Sequence, residues 1–127
     1  MDKQELLGRT KMFALRSLRL VDHLPRTMSG RAIGNQLVRS ATSMGANYRA
    51  ACRAKSSAHF ISKMGDVEEE GDESGYWMEL LVENGIVKET RICDLMQEGN
   101  EILSIVVAAA KTTRTTRPAY PALTRKS

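Results

Sequence analysis

The chain has little with which to do chemistry. Its 127 residues include two cysteines, two histidines and three prolines, and aromatic residues make up only 5%. Cys52 and Cys93 are too few for a disulfide framework and fit a reducing compartment. No apolar run reaches the ~20 residues that span a membrane. The N-terminus MDKQELLGRT has no apolar h-region, so no secretory signal is expected. No segment alternates apolar and polar residues with period two. That excludes strands, and with them any Gly-rich phosphate loop that follows a strand. What is left is an ordinary composition, 42% hydrophobic and 27% charged, at the size of one domain. A cytoplasmic globular protein is expected.

The folded part also lacks net charge. Residues 1–54 carry ten Lys and Arg against three Asp and Glu, and residues 55–111 carry five against twelve. The two halves cancel. The whole excess of +4 lies in the final segment TTRTTRPAYPALTRKS, on Arg114, Arg117, Arg125 and Lys126. A basic half and an acidic half favour packing of one on the other, or subunit on subunit, over nucleic-acid binding across a uniform surface.

Apolar spacing predicts four helices. The first spans about Lys3 to Leu24, with Asp2 as N-cap and Pro25 as the break. Leu7, Ala14, Leu18 and Val21 mark one stripe, and Leu6, Phe13, Leu20 and Leu24 its neighbour. The second begins after Ser29, which can cap it, and runs to about Arg53. Its seam is Ile33, Leu37, Ala41, Met44, Tyr48 and Ala51, and its many small residues admit a close neighbour. The third runs from Ser56 or Ser57 to about Asn84. Phe60, Met64, Val67, Gly71, Ser74, Met78 and Leu81 form its heptad seam. Gly71 and Gly75 each cost ~1 kcal/mol inside a helix. The seam keeps phase across both, so a continuous helix is expected, ending at Gly85. The fourth runs from about Lys88 to Lys111 on Ile92, Met96, Gly99, Leu103, Val106 and Ala110.

Short links between helices of roughly 33–43 Å make sequential helices antiparallel neighbours. The expected fold is all-α, an antiparallel up-down-up-down four-helix bundle over residues 1–111. Residues 112–127 are expected to be a disordered basic tail. Met12, Leu15, Trp77 and Leu80 lie off the main seams. They mark either a second buried face, hence an oligomer, or one broad stripe.

Catalytic patterns are thin. No Glu precedes either histidine by three residues, so a ferritin-like metal site is absent. The cysteines lie far apart without a CxxC, which excludes a zinc site of that type. Neither a metal nor a cofactor is expected. The acidic cluster Asp66, Glu68, Glu69, Glu70, Asp72 and Glu73 is the one site-like feature. With Glu98 and Glu101 on the next helix, Glu69, Glu70 and Glu73 faintly echo the Mg²⁺ sites of all-α nucleotide pyrophosphohydrolases. The structural alternative pairs Arg39 and Arg49 of the second helix with Glu69 and Glu73 of the third. Breaking such a pair, if buried, costs ~3–5 kcal/mol.

The run QLVRSATSMGANYRAACRAKSSAHFISKMGDVEEEGDESGYWMELLVENGIV, residues 36–87, is similar to the four helix bundle protein family. Its members are also called 23S rRNA intervening-sequence proteins, because some of their genes lie inside insertions in bacterial ribosomal RNA genes. The resemblance is carried by Gln36-Leu37, Arg39-Ser40-Ala41, Ala46-Asn47-Tyr48-Arg49-Ala50 and Phe60-Ile61. Glu69, Asp72-Glu73-Ser74 and Tyr76 through Leu81 complete it. FALRSLRLVDHLP, residues 13–25, resembles the family's first helix. The chain departs from the family at His59, where an acidic residue is frequent, and at Gly71 and Gly75, where larger residues are usual.

The resemblance implies a homopentamer of four-helix bundles without established biochemical function. A distantly similar group, the accessory variability determinants of diversity-generating retroelements, forms a basic pentamer that binds a reverse transcriptase and nucleic acid. The neutral folded part departs from that group. The family's Arg-rich second and Glu-rich third helices also favour structural ion pairs over Mg²⁺ chemistry. The leading expectation is a non-enzymatic oligomeric scaffold. Any weak contact with RNA or DNA is expected through the tail, or failing that around Arg9, Lys11, Arg16 and Arg19. A protein partner not yet identified is the other expected contact.

Overall fold

Asp2 starts the first helix by satisfying its orphan amides. Its carboxylate accepts from the Glu5 backbone N–H at 2.8 Å, and the Glu5 side chain accepts in return from the Asp2 N–H. In the computed structural model, which describes residues 1–116, α1 then runs Lys3–Asp22 and α2 Met28–Ala51. The helices α3 and α4 span Ser57–Glu83 and Glu89–Thr115.

The cap of α2 is Thr27 and not a residue at Ser29. Thr27 Oγ1 accepts from the Gly30 N–H at 3.1 Å. Ser29 already lies in the first turn of the helix, and Gly30 lets the chain before it pass close, where a Cβ would stand 2.6 Å from the Pro25 carbonyl oxygen. Ser56 caps α3 through the His59 N–H at 3.0 Å. That helix is continuous through Gly71 and Gly75. Gly85 takes φ +71°, the left-handed turn that ends it.

The helix α4 continues past Lys111 into the segment expected to be tail. Ala108 to Ala110 are strong helix formers. Beyond them, Thr113 and Thr116 return hydroxyl bonds to the carbonyls of Ala109 and Thr112 at 3.0 and 2.9 Å. Residues 112–115 are therefore helical, and 117–127 lie outside the described residues.

Specific contacts give the helix directions. Gly34 faces Val21 and Leu24, while Gly45 faces Thr10, so numbers rise on α2 as they fall on α1. Ser74 Oγ donates to Ser40 Oγ at 2.9 Å, and Met44 meets Gly71. Hence α2 and α3 are antiparallel too. Each helix packs on two neighbours, and α1 against α4 closes a four-cornered bundle along its least extensive seam.

The core contains Leu6, Phe13, Leu37, Met44, Met64, Val67, Met78, Leu81, Ile92, Ile102 and Val106. Fully burying one such side chain is worth ~1.5–3 kcal/mol. On α4 the most buried line passes through Leu95 and Ile102, one residue before the expected Met96 and Leu103. Leu103 instead lies at the edge, over the flat surface of Gly71, where a Cβ would stand 2.7 Å from its Cδ2. Gly71 is thus a packing position as well as a weak helix former. No helix among the described residues is long and apolar enough to cross a membrane.

Candidate functional site

Two grooves of opposite charge lie on opposite edges of the bundle. The α1/α2 groove, about 690 Å³, is rimmed by Lys3, Lys11, Arg49 and Arg53 over a floor that includes Leu7, Ala14 and Cys52. Gly45 and Ala46 open it, because neither puts bulk between the helices. Among the described residues no carboxylate lines it. The α3/α4 groove, about 560 Å³, is rimmed by Glu68, Glu69 and Asp72 over Leu103 and Val107. Among the described residues no cation lines that one. Beneath the basic groove, burial pushes the Tyr48 hydroxyl well above its ordinary value, and neighbouring Cys52 adds to the shift. Tyr48 is a core residue, 5% exposed.

The expected ion pairs form only in part. Arg39 Nη2 lies 3.0 Å from Glu73 Oε1, and Arg39 Nη1 lies 3.9 Å from Glu70 Oε1. Arg49 and Glu69 are not brought together. Arg49 is ten residues beyond Arg39, which turns it about 80° around the helix axis and into the α1/α2 groove. Glu69 is turned about 40° from Glu73, toward α4. The Arg39–Glu73 pair is also not buried, since the side chains are 55% and 45% exposed. The cost of a broken buried pair does not apply to it.

The chain matches the description of the 23S rRNA-intervening sequence proteins over residues 2–108. It belongs to the 23S rRNA-intervening sequence protein family. A protein of unknown function from the S23 ribosomal protein family of Bacteroides thetaiotaomicron has a similar crystal structure. The TM-score is 0.82 at 29% identity, covering 87% of this chain and 99% of that one. No curated protein matches.

In this chain the carboxylates of the acidic cluster and of α4 are dispersed. Among the described residues no three His, Cys, Asp or Glu side chains converge on a metal-sized site. Glu98 and Glu101 are held by Arg9, at 2.6 and 3.0 Å from its Nη2. Arg9 Nε also donates to Glu98 Oε2 at 2.8 Å, making the grip on Glu98 two-pronged. The hydrogen bond from Arg9 holds the Glu98 carboxyl below its usual range. Glu70 shifts the other way. Burial raises its pKa, and Glu73 adds to the rise, while Arg39 opposes it. Its Oε1 is buried without a hydrogen bond among the described residues.

The Arg9 clamp was not visible in the sequence. Its partners lie 89 and 92 positions away, and no local spacing signals a contact at that range. Of the expected nucleic-acid contacts, Arg114 lies exposed in the last turn of α4. Arg117, Arg125 and Lys126 lie outside the described residues.

Proposed function

We propose that the chain is a non-enzymatic, self-assembling scaffold of the cytoplasm, a homopentamer that presents its bundles to a partner. The observation that carries this reading is the apolar surface the bundle leaves outside. Met12 is 48% exposed, Leu15 37%, Tyr76 53% and Val107 42%. Val107 lines the α3/α4 groove and Met12 and Leu15 are neighbours one turn apart on α1, so these side chains group into patches instead of scattering singly, as association surfaces do. The count of five rests on the family resemblance. Light scattering at micromolar concentration tests it. The expected mass is about five times 14.1 kDa, and a monomer rejects the reading. A thermal-shift panel of Mg²⁺ with nucleotides tests the enzymatic alternative, because a hydrolase is stabilised by its ligands.

A second reading, a weak contact with RNA or DNA, is favoured by the charge excess lying wholly beyond Lys111. Five copies multiply such weak contacts. Phosphate contacts carry no base readout and weaken steeply with salt. Filter binding at low and high salt, with the full chain and a chain ending at Thr116, tests this reading. Loss of binding on truncation supports it, and equal affinity moves the contact to the bundle.

A further inference from the structure

We infer that the α1/α2 groove of one copy receives the α3/α4 groove of the next copy, head to tail. This rests on the self-assembly reading and names its interface. The rims carry opposite charge, with Lys3, Lys11, Arg49 and Arg53 on one and Glu68, Glu69 and Asp72 on the other. Both floors are apolar, and Val107 on the acidic side is 42% exposed. Tyr76, one turn on from Asp72 and 53% exposed, extends that face.

These charges are also among those that no partner within the fold neutralises. Arg9, Arg39 and Lys63 are engaged inside the chain by Glu98 and Glu101, by Glu70 and Glu73, and by Asp66. None of the seven rim residues forms an ion pair among the described residues. The occupant follows from this complementarity. A nucleic acid satisfies the basic groove alone and leaves the acidic one bare. A second copy satisfies both at once, setting the rim that carries Arg49 against the rim that carries Glu69.

Geometry sets the kind of assembly. The two grooves occupy opposite edges of a four-cornered bundle, so the contact is heterologous. Every copy then offers one basic and one acidic face; a turn of about 72° between successive copies closes the series into a five-membered ring, and without that turn the same contact grows a filament. A two-fold dimer uses one face against itself, which here sets like charges together.

Sedimentation velocity on the full chain, with circular dichroism to verify folding, tests the inference. Arg49→Glu with Arg53→Glu is expected to weaken association by about tenfold or more, and so is Glu69→Lys with Asp72→Lys. All four changes in one chain exchange the two faces and are expected to restore assembly. A monomeric parent overturns self-assembly and this interface together. An assembled parent whose reversed variants assemble equally well overturns the interface alone. So does a four-fold variant that folds but does not recover. Should a reversed variant lose its helical signal, Arg49→Gln and Glu69→Gln alter exposed side chains only. Each is expected to weaken association several-fold, and no change in either overturns the interface.

Discussion

Arg9 grips Glu98 with two hydrogen bonds, Nε to Oε2 at 2.8 Å and Nη2 to Oε1 at 2.6 Å, and so ties α1 to α4. The side chains are 26% and 22% exposed, enough shelter for the charges to matter. The α1–α4 seam is the least extensive in the bundle. A polar clamp at this place supplements thin apolar packing.

Replacing Glu98 with Gln is expected to lower stability by about 1–2 kcal/mol at pH 7. The folded pKa of Glu98 lies below its unfolded value, so the clamp contributes fully above the ordinary glutamate value of about 4.3. Its contribution is lost as pH falls through the lower, folded value. Urea denaturation across an acid series checks this. A gap between parent and variant that persists in strong acid refutes the assignment.

Glu70 carries the opposite sign. Burial and the neighbouring Glu73 raise its folded pKa, so its ionisation opposes folding. The penalty is absent below about pH 4.3 and develops as pH rises through the folded value. Glu70→Gln is therefore expected to stabilise the protein at neutral pH, by up to ~1 kcal/mol, and to make no difference in acid. Arg39 keeps Glu73 at 3.0 Å in that variant. Destabilisation at pH 7 shows instead that the Arg39–Glu70 attraction outweighs the burial.

Two glycines of one helix are expected to respond in opposite directions. A Cβ at Gly71 would stand 2.7 Å from Leu103 Cδ2 and 2.9 Å from Met44 Sδ, so Gly71→Ala must displace both side chains, and its overpacking of ~1–2 kcal/mol, offset in part by the gain in helix propensity, leaves a net loss of up to ~1 kcal/mol. A Cβ at Gly75 meets nothing within 4 Å, and Gly75→Ala gains about 0.5–1 kcal/mol of helix propensity. Thermal melting distinguishes the two by sign.

Arg39→Ala is expected to cost no more than ~1 kcal/mol, because the Arg39–Glu73 pair is open to solvent and screened by salt. A double-mutant cycle with Glu73→Ala checks it. A coupling of several kcal/mol contradicts the exposed geometry.

The helices and their ends were written locally. Asp2, Ser56, Pro25 and Gly85 act within one turn of themselves, and the heptad seam of α3 carried that helix across two glycines. Spacing at three and four residues also placed Leu37, Met44, Met78 and Leu81 in the core, because helical periodicity needs no knowledge of a neighbour. The motifs from Gln36 to Leu81 point to the family on the same local basis.

Pairing between helices needed the packed bundle. A step of one residue turns a side chain about 100° around its axis, so Glu70 reaches Arg39 while Glu69 enters the groove beside α4. The same rotation carries Arg49 away from Arg39 and onto the opposite edge. It also puts Leu95 and Ile102 in the core where Met96 and Leu103 were expected. Gly71 shows both limits. Along the chain it is a weak helix former, and only the approach of Leu103 and Met44 makes its missing side chain an asset. Composition set the balance of charge in each half of the chain. The rotation and register of four packed helices decided which charges meet inside one copy and which are left facing out.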